Sequence, residues 1–304
     1  MRAFDATDLY LLSVAGLLRL VELVGSARLR DDTACFARNM AYRLSRHRRE
    51  HSLASVTAYY GTQRTAFEVR HIVRGTFQTF WQDTFYLCRM GPGGVPVGTL
   101  QGAEHLRDAT KRGHGVILLE NSFFGFRNVA RLLIWADGWR PRQAHSTEHL
   151  AGFQTHSETW LRSRVTRPLF DRREKQLVDS IIYMSSTRSL AFTRELAANL
   201  RENGLLYLSG EGQMGQRHVE RVFLGQPRRF ATGVFSLSKL TRAPILPIFC
   251  YSSSDGTFTC VIEPPLNVPD TRDAAEQGIA QFATRLEDYA RRYPEQYRNW
   301  HASS

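Results

Sequence analysis

Leu205-Leu206-Tyr207-Leu208-Ser209-Gly210-Glu211-Gly212, answered further along by Ala243-Pro244-Ile245-Leu246-Pro247-Ile248-Phe249, is the text that decides the fold. The first run is short and apolar, as a strand buried on both faces must be. It ends in an acidic residue set between glycines, which turns sharply and lets another group approach the backbone closely. A basic, glycine-containing connection and a helix over Val234 to Leu240 lead to the second run, an apolar strand flanked by prolines. Strand, helix and strand in that order argue for a parallel sheet.

The alternation continues outward in both directions. Gly115 to Glu120 predicts a strand through Val116, Ile117, Leu118 and Leu119, and a helix follows through Val129 to Ile134. Pro141 to His145 reads as the next strand, Val178 to Met184 as another, and Ser189 to Asn203 as a helix stopped by Gly204. Beyond the Pro244 run, a turn at Ser254-Asp255-Gly256 introduces a strand over Thr257 to Ile262, and a helix from about Asp273 to Tyr293 closes the chain. The expected class is α/β, a mainly parallel central sheet flanked by helices on both faces, with one late hairpin adding antiparallel pairing. Residues 34–50 and 64–90 read as helices, and Gly91-Pro92-Gly93-Gly94 ends the second. The chain therefore divides into an N-terminal helical segment, 1–90, and a continuous α/β core, 91–304.

No stretch reaches the roughly eighteen apolar residues that a membrane span needs. The nearest, Leu9 to Gly25, is interrupted by Arg19 and Glu22 and lacks the basic start and small-residue cleavage site of a signal peptide. Leu9, Leu12, Val14, Leu17, Leu18, Val21 and Val24 have partial helical periodicity. Two readings follow: an amphipathic helix lying on a membrane, with the arginines of 28–49 toward anionic headgroups, or an ordinary helix packed on the core. The aromatic set Phe67, Phe77, Phe80, Trp81, Phe85 and Tyr86 reads as core, with a lipid-facing groove as the alternative.

Forty Lys and Arg against 29 Asp and Glu leave a formal net charge of +11, and only Lys111, Lys175 and Lys239 are lysines. The arginine fork suits phosphate and carboxylate, which points to anionic ligands or an anionic membrane surface. Nucleic acid is not an expected partner, because no zinc-finger, helix-turn-helix or RNA-binding aromatic signature accompanies the charge. Cys35, Cys88, Cys250 and Cys260 show no metal-ligand spacing. His145, His149 and His156 lack carboxylates in ligand spacing, so neither a metal nor a cofactor is expected. Cys250 and Cys260 fall on two strands of one hairpin, where they could face each other as packing residues.

In open α/β sheets the ligand crevice lies beyond the carboxyl ends of the strands. That rule selects Glu120-Asn121-Ser122, His145, Ser185-Ser186-Thr187-Arg188 and Gly210-Glu211-Gly212. Hydroxyls beside Arg188 suit an anion, or else they simply cap the following helix. Arg217, Arg221, Arg228 and Arg229 bracket Phe223-Leu224-Gly225-Gln226-Pro227.

These positions, in this order, resemble the glycerolipid acyltransferase superfamily, and within it the bacterial lipid A late acyltransferases. The likeness runs from about residue 9 to 301. Gly210-Glu211-Gly212 resembles the superfamily's Pro-Glu-Gly turn, Phe223 to Pro227 its Phe-Phe-Gly-Arg-Pro segment, and Tyr293-Pro294-Glu295-Gln296-Tyr297-Arg298-Asn299-Trp300-His301 the Pro-Glu-Gln-Trp ending. The resemblance implies transfer of an acyl chain from an acyl carrier protein or coenzyme A thioester to a lipid-like acceptor at the inner membrane. It also implies substrate contacts at Arg188, Gly210, Glu211, Gly212, Arg228 and Arg229. One element departs. Where the family carries a histidine with an acid five residues on, Phe124-Gly125 holds the register and the two slots fall on Phe123 and Asn128. Phenylalanine accepts no proton, and losing a general base costs about 10²–10⁴-fold in rate. Either the protein is a non-catalytic relative that binds such ligands and regulates a partner, or another group replaces the base. Glu120, if burial raises its pKa, and His145, on the strand expected to neighbour it, are the candidates.

Overall fold

The computed structural model describes residues 3–88, 96–146, 149–150, 153–154, 159–184, 190–211, 217–269, 271 and 273–300. Its strands are β1 (Gly98–Gln101), β2 (Val116–Glu120), β3 (Arg142–Ser146), β4 (His149–Leu150), β5 (Phe153–Gln154), β6 (Ile181–Met184), β7 (Leu205–Ser209), β8 (His218–Phe223), β9 (Gln226–Ala231), β10 (Ile245–Ser252) and β11 (Phe258–Ile262). Seven of them form one sheet in the order β1-β11-β10-β2-β7-β3-β6. From β10 to β6 all neighbours are parallel, β11 runs antiparallel to β10, and β1 pairs parallel to β11. The expected α/β class with a mainly parallel sheet holds. Cys250 and Cys260 stand directly opposite each other on β10 and β11, both buried and neither in a disulfide.

Side chains alternate across the pleat, so each central strand feeds two cores. Val116 and Leu118 of β2 join Leu205 and Tyr207 of β7 under α5 (Ala103–Thr110), α6 (Arg127–Ala136) and α7 (Arg167–Glu174). Ile117, Leu119, Leu206 and Leu208 pack on the other face against α8 (Leu190–Arg201), α9 (Gly233–Thr241) and α10 (Ala274–Arg292). Helices thus cover both faces, which explains why these strands read as unbroken apolar runs.

Two sequence expectations change. The predicted helix over 34–50 is the end of α2 (Ala27–Leu44) and the start of α3 (Arg46–Tyr60), because the chain breaks at Ser45, φ −85° and ψ 64°. The basic connection after Glu211 contains the antiparallel pair β8 and β9, whose turn places Leu224 (φ 49°) and Gly225 (φ 73°) both in the left-handed region. Tight hairpins want that conformation, but the leucine hides its signature from a reader seeking Asn-Gly. In the same region α4 (Ala66–Phe85) begins at a Thr65/Glu68 capping box and carries Phe77, Phe80, Trp81 and Phe85 into the interior. The aromatic set is core there, while Phe67 is exposed.

α1 (Ala6–Val24) starts at a reciprocal capping box between Asp5 and Asp8 and ends at Gly25, φ +66°. Leu11, Val14, Ala15, Leu18 and Val21 are buried against the sheet's α6 side. Charged clamps hold both ends. The fully buried Arg162 pairs with Asp5 at 2.8 Å and Asp8 at 2.9 Å, and Arg173 grips both carboxylate oxygens of Glu22 at 3.0 and 3.2 Å. Leu9, Leu20, Leu23 and Val24 point outward and are exposed, as are Phe36 and Leu44 of α2 and Trp160 before α7. The packed-helix reading holds for the buried face, while the outer face leaves an apolar stripe exposed. Among the described residues no helix is long and apolar enough to cross a membrane.

Arg162→Ala is expected to destabilise the fold by about 3–5 kcal/mol in urea unfolding, since it removes the cation from the fully buried Asp8. Arg28→Ala, on an exposed pair with Asp32, should change stability by no more than about 0.5 kcal/mol.

Candidate active site

β2 is central, and the chain leaves its carboxyl end through residues 121–126 before entering α6. Nearly every backbone N–H of this turn has an assigned acceptor. The N–H groups of Ser122 and Phe123 donate to Oε2 of Glu211 at 2.7 and 3.2 Å. That of Phe124 donates to Oδ1 of Asn121 at 2.8 Å, while the Asn121 amide donates to the Ile248 carbonyl at 3.0 Å. Gly125 donates to the Gln296 carbonyl at 2.8 Å and Phe126 to the Cys250 carbonyl at 2.9 Å. Gly125 has φ +60°, and a Cβ there would lie 1.7 Å from the Cys250 carbonyl oxygen. Only glycine fits.

Glu211, 8% exposed, follows β7 and is held against this turn. Burial pushes its carboxyl up to about 7, against the opposing pull of the Ser122 and Phe123 N–H groups and of Arg298 and Arg228. Ser122 and Ser209 face each other through their hydroxyls. Arg298 donates from Nη2 to the Ser122 carbonyl at 2.9 Å, its N–H donates to the Phe123 carbonyl at 2.6 Å, and its Nη1 lies 3.8 Å from Asp83. Asp83 accepts the N–H of Asn128 at 2.7 Å, and the Asn128 amide donates to the Asp83 carbonyl at 2.9 Å. Phe123 and Asn128 are therefore built into the scaffold: Phe123 lies half-buried against the core and Asn128 is committed to α4.

Glu120 sits in a different field. It is 5% exposed and accepts Nε and Nη2 of the fully buried Arg131 at 2.8 and 2.9 Å, with Arg127 at 3.2 Å. Arg131 also donates to Gln143 and lies over the Tyr207 ring. Burial alone would raise the Glu120 carboxyl, but Arg131 and Arg127 outweigh it and hold the pKa below the usual value. The raised pKa that base chemistry by Glu120 requires is not what its surroundings produce. Its carboxylate is the permanent counter-charge of two arginines.

His145 lies near the carboxyl end of β3, which pairs with β7 rather than β2, so its strand is not the neighbour of Glu120's strand as expected. In a doubly wound sheet a later strand can insert between two earlier ones, here β7. His145 is 8% exposed, stacks on Tyr183 and places Nδ1 3.5 Å from Glu174 without a hydrogen bond. Burial lowers its pKa to about 4, with Arg127, Arg131 and Arg167 acting in the same direction against Glu174.

Of the expected substrate contacts, Arg228 reaches the site, donating to the Asn299 carbonyl at 3.2 Å and acting electrostatically on Glu211. Arg229 is exposed opposite Glu220 on the β8–β9 pair. Gly210 is small for a packing reason, since a Cβ there would meet the Phe282 ring at 2.4 Å. Arg188 and Gly212 lie outside the described residues. Sequence reasoning missed Asp83, Arg298, Arg131 and Gln143. Arg298 had a signal, lying within the quoted Tyr293 to His301 segment though given no role there, whereas Asp83 is one polar residue in an aromatic helix.

The two buried glutamates predict opposite pH behaviour. A carboxyl whose folded pKa exceeds its unfolded one loses stability as pH rises between the two. Glu211→Gln should therefore raise stability by about 1–3 kcal/mol at about pH 8, with the gain fading below about pH 5. Glu120→Gln should instead lose about 3–5 kcal/mol at about pH 8, because it strands Arg131. Urea unfolding at both pH values checks the pair.

Comparison with protein families matches residues 2–302 to the one described as bacterial lipid A biosynthesis acyltransferase. Comparison with curated proteins returns no match.

Proposed function

Because the chain belongs to the bacterial lipid A biosynthesis acyltransferase family, we propose that it moves an acyl chain from an acyl carrier protein or coenzyme A thioester to a hydroxyl or amine of a lipid-like acceptor. The observation that carries this reading is the buried Glu211, fastened to the N–H groups of Ser122 and Phe123 at the carboxyl edge of the sheet. An acidic group near neutrality, set where an α/β sheet opens its crevice, suits proton handling in acyl transfer. Arg228 and Arg298 supply positive charge for an anionic donor or acceptor group. Ser122 and Ser209 add a hydroxyl donor: one hydroxyl of a facing pair donates to the other, which leaves one O–H for an oxyanion.

The working surface is the cytoplasmic face of the inner membrane, with peripheral attachment. Leu9, Leu20, Leu23 and Val24 on α1, with Phe36 and Leu44 on α2, are exposed beside Arg19, Arg28 and Arg43. Apolar side chains ringed by arginines suit an anionic interface.

A second reading is favoured by Phe123 and Asn128. Neither titrates, and Asn128 is tied to Asp83. On that reading the site holds acyl-carrier or lipid ligands and the protein regulates a partner.

Incubation of the purified protein with labelled acyl-carrier-protein and coenzyme A thioesters and a total lipid extract separates the two. Labelled lipid is the expected outcome. Thioester binding without transfer would replace the enzyme by the ligand-binding relative. In a vesicle sedimentation assay, Leu20→Asp with Leu23→Asp should weaken partitioning onto anionic vesicles by roughly tenfold or more. Unchanged partitioning would remove α1 from the membrane contact.

A further inference from the structure

We propose that Glu211 is the general base of this acyl transfer, taking the proton of the acceptor hydroxyl on Oε1. The inference rests on the acyl-transfer reading and names the group that does the work left open by Phe123.

The geometry selects the residue and the atom. Glu211 reaches across from β7 to the backbone at positions 122 and 123, and so stands at the slot where a side-chain base is missing. Oε2 accepts two N–H groups, which fills its lone pairs. Protonation there would force a third hydrogen against two others. Proton exchange is therefore left to Oε1, which has no hydrogen-bond partner among the described residues.

The surrounding charges leave the carboxyl free to exchange. Arg298 binds the Ser122 carbonyl and Arg228 the Asn299 carbonyl, so both act on Glu211 from a distance rather than as ion-pair partners. Among the described residues, the other titratable group acting on it is Tyr297. With burial as the main influence its pKa of about 7 lets it hold or release a proton near neutral pH. Glu120 offers the contrast: the same side chain, chelated by Arg131 and held ionised, has no comparable freedom.

The step balances without another reagent. The acceptor O–H passes its proton to Oε1 while the oxygen attacks the thioester carbonyl carbon. The tetrahedral intermediate collapses, the C–S bond breaks, and the sulfur leaves with the electron pair. Glu211 returns the proton to that thiolate and is again a carboxylate.

The test is the pH dependence of kcat/KM for transfer to a hydroxyl acceptor by wild type, Glu211→Gln, Glu211→Asp and His145→Ala. Wild type should gain about tenfold per pH unit below an inflection near 7 and level off above it. Glu211→Gln keeps the acceptor for both N–H groups. It should lose about 10²–10⁴-fold at the plateau, abolish the inflection and leave the KM for the thioester unchanged. Glu211→Asp should retain an inflection at reduced rate, which separates proton transfer from support of the turn. A wild-type profile without the inflection overturns the assignment, whether or not Glu211→Gln folds. So does an inflection that survives Glu211→Gln, or one lost in His145→Ala. In these cases acyl transfer itself stands. Absence of transfer by wild type from any donor overturns both the assignment and the reading beneath it.

Discussion

The structure depends on how a short turn, residues 121–126, satisfies its backbone donors away from water. Buried N–H groups require partners, and here the partners come from pieces of chain that are distant in sequence. Glu211 takes two donors, Gln296 and Cys250 take one each through their carbonyls, and Asn121 closes the turn from within. Cys250 approaches so closely that residue 125 has no space for a Cβ. One turn thus locks together the β7 edge, the β10 strand and the carboxyl-terminal segment. Its rigidity is what makes a site there a fixed object, because each donor has a single place to point.

The same edge holds two buried glutamates in opposite electrostatic conditions. Glu120 is surrounded by guanidinium groups and remains charged. Glu211 has backbone donors on one oxygen and, among the described residues, only the more distant Arg298 and Arg228 as cations, so desolvation dominates and its two protonation states come close in free energy near neutrality. Separation of pKa values between like groups in one crevice is a recurring way to divide structural and chemical roles. Glu120 orders α6 on the sheet through Arg131 and Gln143, and that frame keeps the turn above it in position.

Much of the sheet was legible because both its faces are covered. β2, β7 and β10 had to be apolar throughout, and apolar runs punctuated by Gly and Pro stand out in sequence. Gly125 and the Glu211 turn were found through their motif positions. What stayed hidden depends on tertiary structure alone. No local pattern states that β7 inserts between β2 and β3, so His145 was assigned the wrong neighbour. Burial raises or lowers a carboxyl according to its partners. Glu120 therefore looked like the residue to be raised and Glu211 like a binding group, until Arg131 and the Ser122 N–H were located. The β8–β9 pair was obscured by Leu224 in a conformation usually left to glycine or asparagine.

α1 shows how buried charge can orient an apolar element. Its sequence is apolar over much of its circumference, so hydrophobic burial alone would tolerate several rotations about its axis. The ion pairs tolerate few. Arg162 needs Asp5 and Asp8, and Arg173 needs Glu22, and a rotation that misplaced either would leave unpaired charge in the interior. Such pairs contribute modest net stability once desolvation is counted, but they penalise wrong arrangements heavily. With both ends fixed, Leu11, Val14 and Leu18 must face the core, and Leu9, Leu20 and Leu23 must face out. The exposed apolar stripe follows from where the charges bind, and any surface it touches is presented with the same side chains each time.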